Sequence, residues 1–153
     1  MTSLTEEQQE RLDIIKHKLK FIEQKPTLAI VKAFNPITLA ADDMAGLIGI
    51  AGGSLIEGDE QTLTALNPDI IIAMPDDMPM AQTMTHIDEL LQMPGFTDLK
   101  AVKSNRFYIV DGDIFLDKSN ENMINNIELL AEIIYPKQFI FGHEGNGWIK
   151  FSI

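Results

Sequence analysis

The sequence predicts an α/β protein: a three-layer α/β/α sandwich with a mainly parallel sheet, preceded by a long N-terminal helix. Two observations carry this. Three short apolar runs, "TLAIVKAF" (27–34), "IIIAM" (70–74) and "RFYIV" (106–110), have the composition of strands buried on both faces. Segments with helical periodicity lie between and around them, and alternating strands and helices imply parallel pairing with helices on both sheet faces.

The first element is a helix over 5–24, because Leu12, Ile15, Leu19 and Ile22 recur at spacings of three and four. Ser3 with Glu6, or Thr5 with Gln8, fits a capping box at its start, and Pro26 stands at its end. After the strand at 27–34, residues 42–51 form a short helix closed by glycine, and 59–66 form another. Asn67-Pro68-Asp69 is a turn into the strand at 70–74, which ends at Pro75-Asp76-Asp77. A helix over 82–92 is broken by Pro94-Gly95. The strand at 106–110 ends at Asp111-Gly112-Asp113, and a last helix spans 120–134, with Ile124, Ile127, Leu130, Ala131 and Ile134 on one face. The tail, "FIFGHEGNGWIKFSI", is aromatic and rich in glycine.

A length of 153 residues suits one domain, read here as 1–153 with a backbone-type helix at 5–24 and an α/β body at 27–153. With 12 Lys and Arg against 23 Asp and Glu, the formal charge is −11. That balance argues against nucleic acid and anionic membranes, which require clustered positive charge. No apolar stretch approaches a membrane span, so no membrane insertion is expected. The absence of cysteine removes disulfides, thiolate metal sites and Cys nucleophiles. The N-terminus has neither the basic start nor the apolar run of a signal peptide. The expected location is cytoplasmic if the chain is complete, and periplasmic or cell-surface if it is a fragment of an exported protein.

Parallel sheets bind ligands beyond the carboxyl ends of their strands. That rule selects Asn35-Pro36 with Asp42-Asp43, then Pro75, Asp76, Asp77 and Met78, and then Asp111 to Phe115, with Asp113 and Phe115 as the residues of interest. Each place carries two aspartates. Asp42 and Asp43 either cap a helix or contact a ligand, and the two roles can coexist. Asp76 and Asp77, between two prolines, make a turn in the simplest reading. "DGDIFLD" (111–117) lacks the glycine and the bidentate glutamate of a calcium loop. His17, His86 and His143 are scattered, and no metal ligand or cofactor is assigned. There is no nucleophile elbow, P-loop or dinucleotide fingerprint, so no enzyme is expected.

Several segments together resemble the C-terminal lobe of ABC-transporter substrate-binding proteins for cobalamin and iron-siderophores. They are "IIKHKLKFIEQKPTLAIV", "IAGG", "LNPDIIIAMP", "MPGFTDLKAVKSNRFYIVDG" and "NIELLAEIIYPKQFIFGHEGNGWIKF", in family order over residues 14 to 151. The resemblance implies two α/β lobes joined by a long helix, a small ligand (a corrinoid or an iron chelate) held between them, and an ABC permease as partner. The N-terminal lobe has no counterpart in this chain. Cobalamin-type relatives often carry Gly-Asn-Trp at Ala41-Asp42-Asp43, Pro-Cys-Gly-Phe near Pro75 to Met78, and Gly-Pro-Arg near Asn120 to Asn122. The family's permease-docking acidic residue of this lobe falls near Asp42 and Asp43. A lone lobe exposes the surface that faces its twin, so a homodimer is expected. A scaffold that has lost ligand binding and serves as an interaction module is the alternative.

Overall fold

The computed structural model describes residues 4–34, 37–40, 42–75, 78–112, 120–145 and 147–151, without the side chains of 42–45, 60 and 120. In chain order its elements are α1 (Glu6–Leu19), β1 (Thr27–Phe34), β2 (Ile37–Leu39), α2 (Asp42–Ile50), β3 (Ser54–Leu55), α3 (Glu60–Leu66) and β4 (Ile70–Ala73). They continue with α4 (Met80–Leu91), a 3-10 turn (Phe96–Asp98), α5 (Lys100–Lys103), β5 (Phe107–Val110), α6 (Asn120–Ile134) and β6 (Trp148–Lys150).

The sheet runs in the order β2-β1-β4-β5-β6, with β3 beside the first residues of β1. Its centre is parallel: β1 pairs with β4 and β4 with β5. The outermost strands are antiparallel, β2 on β1 and β6 on β5. The period-2 alternation of strand side chains splits the core into two layers. Leu28, Ile30, Ile70, Ile72, Tyr108 and Val110 pack with α1, α2 and α6. Ala29, Val31, Ile71, Ala73, Phe107 and Ile109 pack with Leu63 of α3, Ile87 and Leu90 of α4, and Ala101 and Val102 of α5. This is the expected α/β/α sandwich. β4 is buried throughout, as its unbroken apolar run requires.

Several elements depart from expectation. α1 stops at Leu19, before residue 24, with Lys20 as its cap and the Ile22 amide bonded to the Leu19 carbonyl. Beyond Leu19, Phe21 is 82% exposed and Ile22 only half-buried, so no packing surface supports further turns. Thr5 forms the capping box: its hydroxyl accepts from the Gln8 amide at 3.1 Å, and the Gln8 side chain accepts from the Thr5 amide at 3.0 Å. α4 begins at Met80, two residues before its predicted start at 82. The strands β2, β3 and β6 have three, two and three residues, too few for periodicity to reveal.

Where the strands begin, side chains stitch the layers. Asp69 accepts from the Thr27 amide (2.9 Å) and pairs with Lys100, while Thr27 Oγ1 accepts from the Asp69 amide at 3.0 Å. Lys100 first, then the Thr27 amide, hold the Asp69 carboxyl below the usual carboxylate range. Asn67, left-handed at φ 46°, closes α3 and accepts from the Lys100 amide at 2.8 Å. The expected Asn67-Pro68-Asp69 turn is thus a junction between β1, β4 and α5. Arg106, just before β5, donates to the carbonyls of Ile133 and Ile134 at the end of α6.

A second set of clamps secures α1 and the tail. Arg11 forms a two-pronged bond to Glu128 (3.1 and 2.7 Å) and also donates to Glu121 and Asn125. Burial pushes the Glu128 carboxyl up, but the neighbouring His143, 4.0 Å away, and the hydrogen bonds from Arg11 outweigh that and hold it below its ordinary value. Glu132, 4% exposed, accepts from the amides of Phe141, Gly142 and Glu144 and from the Trp148 indole. One buried carboxylate thus organises the loop that leads into β6. α2 closes with a paired motif in which the Gly53 amide bonds Ile48 and the Gly52 amide bonds Gly49. Gly52 is at φ 96°, and a Cβ there would collide with Tyr135 and Leu19.

Candidate ligand-binding edge

The carboxyl ends of β1, β4 and β5 lie side by side, because their parallel registers align Val31 with Ala73 and Ala73 with Ile109. Main-chain hydrogen bonds hold this edge. The Met74 amide bonds the Val31 carbonyl at 3.0 Å, the Asp111 amide bonds Gly147 at 2.9 Å, and the Gly112 amide bonds Met78 at 2.9 Å. A Cβ on Gly112 would run into the Pro75 carbonyl, so only glycine lets the segments after β4 and β5 meet.

Of the residues expected at the site, Pro75 and Met78 are therefore brought against Gly112, with Pro75 buried and Met78 half-buried. Asp42 and Asp43 open α2, so the pair occupies the helix's first turn. Carboxylates in that turn favour the positive end of the helix dipole. Asn35, Pro36, Asp76, Asp77, Asp113 and Phe115 lie outside the described residues. Asp111 is half-buried beside Gly112.

Two contributors escape the sequence reading. Phe34, the last residue of β1, stacks on His86 of α4 with ring centroids 5.8 Å apart and planes 15° from parallel. Glu89 lies 3.7 Å from His86 Nδ1. No local signal joins residues 52 positions apart (86 − 34); only the packing of α4 over β1 does. Met80 and Phe34 sit half-covered against the same core layer, and Met84, one turn on, is 47% exposed. In the same helix the buried Thr83 hydroxyl has no hydrogen-bond partner among the described residues. Chemically this edge offers thioether, aromatic and imidazole surface, suited to an apolar or flat ligand. Among the described residues, no three His, Asp or Glu side chains gather in a way that could hold a metal ion.

No protein-family model and no curated protein matches the chain. Solved structures do. An ABC-transporter substrate-binding protein from Listeria monocytogenes EGD-e aligns with TM-score 0.72 and 21% identity, over 86% of this chain and 55% of that one. The S. aureus protein IsdE, solved with heme, aligns with TM-score 0.68 and 24% identity, over 83% and 54%. A TroA-like periplasmic binding protein, FepB from Veillonella parvula, aligns with TM-score 0.67 and 17% identity, over 86% and 46%. The fold is that of half a periplasmic binding protein. The chain spans about half the length of the structures it matches. Among the described residues no helix is long and apolar enough to cross a membrane.

Proposed function

We propose that this chain is a single-lobe relative of the ABC-transporter substrate-binding proteins. It binds a small ligand, a corrinoid or an iron chelate, at the carboxyl edge of its sheet, and it serves transport rather than catalysis. The observation that carries the reading is the alignment of 86% of the chain with half of a substrate-binding protein at TM-score 0.72. The aromatic and thioether surface of Phe34, Met78 and Met80 supports a ligand with large apolar area. Two aligned structures are described as bound to heme or as heme-binding, which agrees with a flat, iron-containing ligand class. The ligand residues in this reading are Asn35, Pro36, Asp42, Asp43, Pro75, Asp76, Asp77, Met78, Asp113 and Phe115. The partners are an ABC permease and a second copy of the chain, and the site of action is outside the cytoplasm.

A thermal-shift screen with cobalamin, ferric siderophores and hemin tests the reading. A ligand at 100 times its Kd should add about 2.7 kcal/mol of apparent stability. No rise in Tm with any of the three would overturn ligand binding. It would favour the alternative of an interaction module, which is motivated by the acidic pair standing where relatives often carry an aromatic.

A further inference from the structure

Between β5, β6, α6 and the loop that leads into β6 lies a cavity of about 440 Å³ that shares no residue with the strand-end edge. Small-molecule sites run from about 300 to about 1,000 Å³. The floor is aromatic. Tyr108 and Trp148 meet edge to face with ring centroids 5.4 Å apart, and Phe139 joins them in the lining, all three buried. Ile140, 84% exposed, stands in the wall. Three charged side chains line the cavity: Glu132, Glu144 and Lys150. Glu132 is already committed to three amides and the Trp148 indole. Arg106, its guanidinium carbon 5.7 Å from the Tyr108 ring centroid, is committed to the Ile133 and Ile134 carbonyls. Glu144 and Lys150 are different. Neither side chain has an ion-pair partner among the described residues, although both line the same cavity. Burial pushes the Tyr108 phenol above its ordinary value; Arg106 opposes this and Glu144 adds to it, so the Glu144 carboxylate stands within electrostatic reach of the floor.

We propose that this cavity is a second binding site, for a free α-amino acid with an apolar side chain. The Glu144 carboxylate receives the ammonium, the Lys150 amine receives the carboxylate, and the side chain lies against Phe139, Ile140 and the Trp148 ring. The charges select this class. A simple organic cation would face Lys150 as well as Glu144, and a simple anion would face Glu144 as well as Lys150; either sets like charges together and loses affinity. A neutral apolar molecule would strip water from both charges and pair neither. A zwitterion with both charges on one carbon satisfies the two rim groups at once. The groups that hold it are themselves supported. The antiparallel register sets Lys150 opposite Tyr108, and the Glu144 amide is fixed on Glu132 at 3.1 Å. Placement on a strand and on a carboxylate-anchored loop gives the site a rigid frame.

Trp148 is the chain's only tryptophan, so its fluorescence reports on this cavity directly. Titration of the full chain with L-phenylalanine at neutral pH should change the emission saturably, with a Kd below about 1 mM, and isothermal titration calorimetry should give the same constant. L-phenylalanine amide lacks the carboxylate charge and N-acetyl-L-phenylalanine lacks the ammonium; each should bind about tenfold more weakly or worse. Lys150→Met and, separately, Glu144→Gln should each raise the Kd for L-phenylalanine about tenfold. Both side chains are exposed, and far-UV circular dichroism should show that both variants fold as the parent does. The absence of any saturable signal up to about 10 mM L-phenylalanine would overturn the proposal. So would equal binding of the amide and the N-acetyl compound, or a Kd that neither substitution moves.

Discussion

The two ends of the sheet are built differently. Where the strands begin, and separately across the α1–α6 face, side chains do the fastening: Asp69 on Thr27 and Lys100 and Arg106 on the end of α6 at the strand starts, and Arg11 on Glu128 and Glu132 on the tail across the helical face. Where the strands finish, main-chain bonds join the segments, with the Gly112 amide on Met78 and the Met74 amide on Val31. A scaffold immobilised by side chains at one end and by backbone at the other can change the side chains of the second end at small cost to folding. That is the arrangement expected of a binding edge on a rigid support.

Substitutions should expose the contrast, and the largest effect belongs to the clamped side. Glu132→Ala leaves three amides and an indole N–H without their buried acceptor, and it should cost about 3 kcal/mol in urea unfolding. The backbone-held end has one comparable weak point. Gly112→Ala forces a Cβ onto the Pro75 carbonyl and should cost about 2.5 kcal/mol by the same measurement. Full stability in that variant would show that the two segments separate freely.

Arg11→Ala strips a nearly buried Glu128 of its two-pronged partner and should cost about 2 kcal/mol. Acid should act on the clamped side too. Asp69 and Glu128 have carboxyls held low in the folded state, so their contribution is complete above the unfolded carboxylate range near pH 4. It is lost as pH falls through the lower folded values. The urea midpoint should therefore fall between about pH 5 and about pH 2, and Asp69→Asn should flatten that slope. At the open end, His86→Ala removes the ring stacked on Phe34 and an exposed contact with Glu89, and should cost about 0.5 kcal/mol. Under the proposed function, the same substitution should weaken ligand binding more than it weakens the fold.

The legibility of the sequence follows the same division. Long periodic segments could be read directly: β1 and α6 fall on their expected spans, and Thr5 with Gln8 forms the box that their spacing suggests. The outer strands could not, because a segment of two or three residues becomes a strand only when its partner is in place. Nothing in the local sequence singles out Glu132, a polar residue in a largely apolar helix. Its role depends on a loop that returns ten residues later and on an indole from β6. At the candidate edge, the sheet rule selects Pro75 and Met78, which follow β4 and meet Gly112, whereas the stacking of Phe34 on His86 needs the tertiary fold.

The short outer strands also bear on how the protein behaves when concentrated. A sheet whose centre is almost wholly apolar would be a hazard if its margins offered long rows of unpaired amides and carbonyls. Here β2 has three residues and follows a register shift between Val31 and Ala33, while β6 has three and carries the exposed Lys150. Shortness, an irregular register and a marginal lysine all discourage another chain from extending a sheet. Polymerisation through strands is thereby disfavoured on both flanks, and any ordered association is left to the helices.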